Sequence, residues 1–120
     1  MIQVPTNSPI FVIHEPLSFH NGIDGTAGVV RSLLRKNPLE GGVFVFRNKM
    51  GNSIRILYYG GSGFWSCNHR LSKGTYNKVW PKGGTVHEPS SVLLPQELYV
   101  LIWGADPRKV HFPEVWRQVA

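Results

Sequence analysis

Val43-Phe44-Val45-Phe46, Ile54-Arg55-Ile56-Leu57-Tyr58-Tyr59 and Phe64-Trp65-Ser66-Cys67-Asn68-His69-Arg70-Leu71 are three short runs rich in β-branched and aromatic residues. Polar, glycine-containing stretches separate them: Arg47 to Ser53, then Gly60-Gly61-Ser62-Gly63. Runs of this length bounded by turn residues read as strands, so residues 43–71 predict an antiparallel β-meander. The first run is apolar on both alternating faces, as in a strand covered on both sides. In the second, Ile54, Ile56 and Tyr58 share one face, and Arg55, Leu57 and Tyr59 the other.

Outward from the meander, Ile10-Phe11-Val12-Ile13 reads as another strand, ended by Glu15-Pro16. Ile23, Ala27, Val30 and Leu34 recur at one-face helical spacing, with Asn21 as the expected N-cap and Asp24 three residues on. Asn37-Pro38 stops that helix. Gly25 and Gly28 weaken it by about 1 kcal/mol each relative to Ala, which points to close packing against a sheet. Lys73 to Lys82 reads as a basic extension with aromatic anchors Tyr76 and Trp80, and residues 83–91 as loop. Pro95 opens a second helix with Leu98, Leu101 and Ile102 as its apolar stripe and Gly104 as C-cap. The expected class is α+β: an antiparallel meander of three to five strands packed with an N-terminal and a C-terminal helix. One domain over 1–120 is expected, with a lead-in at 1–9 and an extension at 105–120.

With 120 residues, of which 42% are hydrophobic and 12% aromatic, the chain is too apolar for disorder and too short for two ordinary domains. No apolar run nears the about 18 residues of a membrane span. The N-terminus lacks a secretory pattern, and a single cysteine, Cys67, has no internal partner, so a reducing cytoplasm is the expected location. The net charge of +6 is unevenly spread. Residues 31–82 hold ten Lys or Arg against one acid, Glu40, a local +9; residues 1–30 carry −2 and residues 83–120 carry −1. Clustering of this kind points to an acidic partner, nucleic acid first among them, although a basic face also simply keeps a small protein soluble.

The sequence announces no catalytic constellation. His14, His20, His69, His87 and His111 lack metal-ligand spacing, and Gly60-Gly61-Ser62-Gly63 is neither a nucleophile elbow nor a phosphate loop. Cys67 and His69 share a strand face, but a packed cysteine is the commoner outcome. The seven acids are scattered, unlike the carboxylate set of a two-metal nuclease. No metal or cofactor is expected. The basic block offers more: Arg47, Lys49, Arg55, Arg70, Lys73 and Lys78 lie on or beside the predicted sheet, interleaved with Tyr58, Tyr59, Phe64, Trp65 and Tyr76. Cations neutralise phosphates and aromatics stack on unpaired bases, though aromatics at strand spacing more often form core. Asp24, Asn48, Gly61 and Gly63 read as structural, with Arg47-Asn48 a candidate for fixing the first turn.

Gly22-Ile23-Asp24-Gly25, Phe44-Val45-Phe46-Arg47-Asn48, Ile56-Leu57-Tyr58-Tyr59, Gly61-Ser62-Gly63-Phe64-Trp65, Arg70-Leu71 and Trp80-Pro81, in this order and at these intervals, resemble the TnpB-type accessory proteins of insertion sequence 66 elements. The resemblance runs from Ile10 to the helix ending Leu101-Ile102-Trp103-Gly104. It departs at Leu17-Ser18-Phe19-His20-Asn21, where members commonly read Val-Asp-Met-Arg-Lys. It departs again at Gly60, usually Asp, and at His69, usually Lys. The resemblance implies a helper in transposition, encoded beside a separate DDE-type transposase. The expected function is therefore non-catalytic and accessory, with DNA contacted through the basic block. The rival expectations are an adaptor binding the transposase or a second copy through Trp65, Tyr76, Trp80 and Trp116, and, ranked last, a small metal-dependent nuclease using acids such as Glu15 or Asp24. No membrane partner is expected.

Overall fold

Strand β1 (Ile10–Ile13) and strand β2 (Val43–Arg47) lie side by side and parallel in a computed structural model that describes residues 8–82 and 88–107. Parallel neighbours need a crossover, and here residues 14–42 supply it. That crossover contains helix α1 (Ile23–Val29), a wider π-type turn over Val30–Leu34, and a 3-10 turn over Pro38–Glu40. β2 then pairs antiparallel with β3 (Ser53–Tyr59), and β3 with β4 (Phe64–Arg70). β5 (Ser90–Leu93) adds antiparallel to the free side of β1, and helix α2 (Pro95–Ile102) follows. The sheet order is β4-β3-β2-β1-β5.

The fold is thus α+β, with the meander expected over 43–71, but the sheet is mixed rather than purely antiparallel. The hydrophobic pattern of β1 does not specify its neighbour's direction. That is set by where the crossover delivers the chain. β5 begins inside the stretch 83–91 that reads as loop: Ser90-Ser91-Val92-Leu93 is short, polar at its start and without alternation. Its strand state rests on the ladder that β1 offers, from Ile10 opposite Leu93 to Ile13 opposite Ser90.

Both sheet faces are covered, which gives three layers. One face carries Ile10, Val12, Val43, Val45, Ile54 and Ile56 against Leu98 and Leu101 of α2 and against Tyr76 and Trp80. The other carries Ile13, Phe44, Phe46 and Leu57 against Leu17, Ala27 and Val30. This accounts for β2, whose first four residues are all buried. The Lys73–Lys82 segment is therefore no extension. It folds back over the sheet, and Tyr76 and Trp80 are completely buried.

Local capping follows the pattern at α2 better than at α1. Pro95 sits in the first turn of α2, and the Glu97 carboxylate accepts from the Leu94 amide at 2.9 Å. At its other end Gly104 takes φ +89°, its amide donating to Leu101 and that of Ala105 to Val100. This is the paired closure of a Schellman motif. At α1 the N-cap is Gly22, not Asn21, and no side chain caps it. Asn21 instead donates from Nδ2 to the Ser18 carbonyl, and Asp24 lies exposed in the first turn. Nor does sheet packing explain the glycines. A Cβ on Gly25 meets the Asn21 side chain, and one on Gly28 meets nothing within 4 Å. Gly28→Ala is therefore expected to stabilise the fold by about 0.5–1 kcal/mol, read as a rise in Tm on thermal melting.

Candidate nucleic-acid interface

The six cations expected to contact DNA do not share one environment. Arg55 is 6% exposed. Its Nε donates to Asn68 Oδ1 at 3.0 Å, Nη1 to the Asn21 carbonyl and to Thr26 Oγ1, and Nη2 to the Phe19 carbonyl at 3.0 Å. The guanidinium lies 4.5 Å from the centre of the Phe19 ring. Burial pushes its pKa below the ordinary arginine value. Arg55 thus ties β3 to β4, to the 17–22 loop and to α1, and its donors are turned inward.

Arg47 is half-buried and likewise engaged. Nη1 donates to Asn77 Oδ1 at 2.9 Å, Nη2 to the His14 carbonyl at 3.1 Å, and the guanidinium lies 5.8 Å from the Trp80 ring centre. Burial lowers its pKa, and the carboxylate of Glu15 partly offsets that. Its buried Nε has no hydrogen-bond partner among the described residues. Next to it Asn48 holds the β2–β3 turn. Its Oδ1 accepts from the amides of Asn52 and Ser53 at 3.0 and 3.1 Å, and Nδ2 donates to Asn52 Oδ1 at 2.7 Å.

That turn is locked to the segment after β4. The Leu71 amide donates to Asn52 and the Tyr76 amide to Gly51. Gly51 has φ +79°, and any Cβ there would drive into the Asn77 amide that holds Arg47. Below it, Trp80 Nε1 donates to the Ile13 carbonyl at 2.8 Å and Tyr76 Oη to the Ile102 carbonyl at 3.0 Å. The two rings meet edge to face, 6.0 Å between centres. The structure therefore places Tyr76 and Trp80 in the core and not at a docking surface. Trp116 lies outside the described residues, as do His87 and His111.

The result is a cluster. Lys49 in the β2–β3 turn, Arg70 at the end of β4, and Lys73 and Lys78 in the returning segment are all exposed and gather at one end of the sheet. From Arg47 to Lys82 the sequence has no Asp or Glu. Lys36 lies over the Phe11 ring at 4.7 Å, beside Phe44 at the start of β2, three residues (about 10 Å) from Arg47. Lys36 therefore lies apart from the cluster. At the other end of the hairpin, Gly61 takes φ +87° in the turn, Gly63 does not need positive φ, and Tyr59 Oη donates to the Gly61 carbonyl. Trp65, 56% exposed, stacks on Tyr58.

Beside the basic cluster a groove of about 700 Å³ runs between the β3–β4 face and α2. Ile54 and Ile56 form its floor, Cys67 and His69 one side, Tyr99 and Trp103 the other. Trp103 is 86% exposed. Trp103 is not among the aromatic anchors expected from the sequence. The signal available was its position just outside the Leu98–Leu101–Ile102 stripe.

Two stability measurements check this partition. Arg55→Met strands four acceptors and is expected to cost about 3 kcal/mol by chemical denaturation, whereas Lys49→Ala changes stability by less than about 0.5 kcal/mol. Burial raises the Tyr76 hydroxyl from its ordinary 10.0 to about 12. The folded state then holds this proton more tightly than the unfolded chain. Its contribution is complete below about pH 10 and lost as pH rises toward 12. Tyr76→Phe is expected to flatten stability over that interval in denaturation curves taken across the alkaline range.

The model of the IS66 Orf2 like protein family matches residues 8–112. Two proteins of Sinorhizobium fredii, each described as uncharacterized, are similar along most of their length. Protein y4hO is 34% identical over 98 residues, covering 80% of this chain and 77% of its own; y4jC is 32% identical over 101 residues, covering 84% and 82%. No solved structure matches. A family match that spans both helices, the whole mixed sheet and the basic cluster places the chain in the IS66 Orf2-like family.

Proposed function

We propose that this chain is a non-catalytic accessory protein of insertion-sequence transposition that contacts DNA through the basic end of its sheet. The observation that carries the reading is the convergence of Lys49, Arg70, Lys73 and Lys78, all exposed, in a segment without acidic residues. The family supplies the setting of an insertion sequence. Arg47 and Arg55, whose guanidiniums are engaged internally, are left out of the phosphate-contacting set. Four cations on a rim supply backbone contact and orientation rather than base readout, so the affinity is weakly dependent on sequence.

Binding through released counterions has a characteristic salt dependence. Four phosphate contacts give a slope of about −3.6 in log K against log salt, a loss of roughly 100-fold between about 50 and 200 mM. Fluorescence anisotropy on a labelled duplex measures it. Lys73→Glu or Lys78→Glu is expected to reduce the slope by about one and weaken binding to all sequences alike. Absence of binding at low salt would refute the proposal.

A second reading, an adaptor that docks on the element's transposase or on another copy, keeps one observation in its favour: Trp65 is exposed at the β3–β4 hairpin end. Co-purification with the transposase that survives high salt and is lost in Trp65→Ala would favour it over DNA contact.

A further inference from the structure

We propose that the groove between β4 and α2 holds an unpaired nucleotide, so that the protein prefers single-stranded or frayed DNA over duplex. This rests on the reading that the neighbouring basic end contacts DNA. The groove floor is apolar, from Ile54 and Ile56, and its α2 wall is aromatic, from Tyr99 at 38% and Trp103 at 86% exposure. His69, Arg70 and Ser72 also line it, and among the described residues no acidic one does. Lys73 follows at once in sequence and is exposed. Its volume, about 700 Å³, lies in the range of small-ligand sites.

Charge complementarity selects the occupant. An apolar trough whose described rim is cationic and neutral-polar suits a partner that is flat and apolar on its faces and anionic along its edge. A splayed base with its phosphate has those properties. The base stacks on the indole of Trp103, while Arg70 and Lys73 meet the flanking phosphates. Duplex DNA presents base edges in its grooves and keeps the base faces stacked, so it engages the cationic rim alone. An indole left this exposed at the C-cap of α2 is dispensable for the fold, whose α2 contacts run through Leu98 and Leu101.

The test compares the full chain's affinity for a labelled single-stranded oligonucleotide and for a hairpin duplex of the same sequence at one salt concentration. The single strand is expected to bind about tenfold tighter. Trp103→Ala is expected to remove about that factor for the single strand only, the size of one lost base–aromatic stack, while Trp103→Tyr retains most of it. Thermal melts of both variants confirm folding. Equal affinity for the two forms, or a Trp103→Ala effect that is nil or identical on both, overturns the groove assignment. If Lys73→Glu still weakens both forms in that case, the DNA-contact reading stands alone. No binding to either form overturns both. Self-association abolished by Trp103→Ala, with single-strand affinity intact, assigns the groove to a second copy and also overturns the inference.

Discussion

A buried guanidinium organises the α1 side of this protein. Arg55 sits on β3 with no carboxylate among its hydrogen-bond partners in the described residues, its charge met by two backbone carbonyls, an amide oxygen, a hydroxyl and the Phe19 ring. A charge removed from water is tolerable only when its donors are satisfied. The loop through Phe19 and Asn21, the first turn of α1 and Asn68 of β4 must therefore occupy fixed positions. The crossover that makes β1 and β2 parallel is anchored at that point.

The opposite face uses a related device. Arg47 spans the His14 carbonyl and the Asn77 amide beneath the Trp80 ring, so the ends of β1 and β2 and the segment after β4 are bound together. Gly51 makes room for Asn77, and Asn48 holds the turn. The consequence for function is indirect. Arginines at 47 and 55 hold the scaffold, and that scaffold leaves the more flexible Lys49, Lys73 and Lys78, with Arg70, exposed at one end. Lysine, a compact charge on a flexible stem, suits unspecific phosphate contact; arginine's planar fork suits fixed internal partners.

The groove and the cationic rim meet because β4 is an edge strand. α2, Tyr76 and Trp80 cover the middle of the sheet, and the cover stops short of β4. Ile54 and Ile56 are buried, yet Cys67 and His69, opposite them in the ladder, are only partly covered or exposed. The open trough is a property of the layer arrangement, not of any motif.

The sequence by itself determined the meander. Alternation in Ile54–Tyr59, the doubly apolar Val43–Phe46 and the polar turns set strand identity and face, since a one-residue slip would expose the whole apolar set. It determined the terminal cap of α2 through Gly104, and it located the excess charge within residues 31–82. It did not determine the parallel β1–β2 pairing or the strand at Ser90–Leu93, because strand direction and edge pairing depend on where a crossover and a distant ladder lie. Nor did it separate the cations. Arg47, Arg55 and Arg70 look alike in the chain, and only the tertiary structure, by closing α1 over one and Trp80 over another, decided which guanidinium faces inward and which faces solvent.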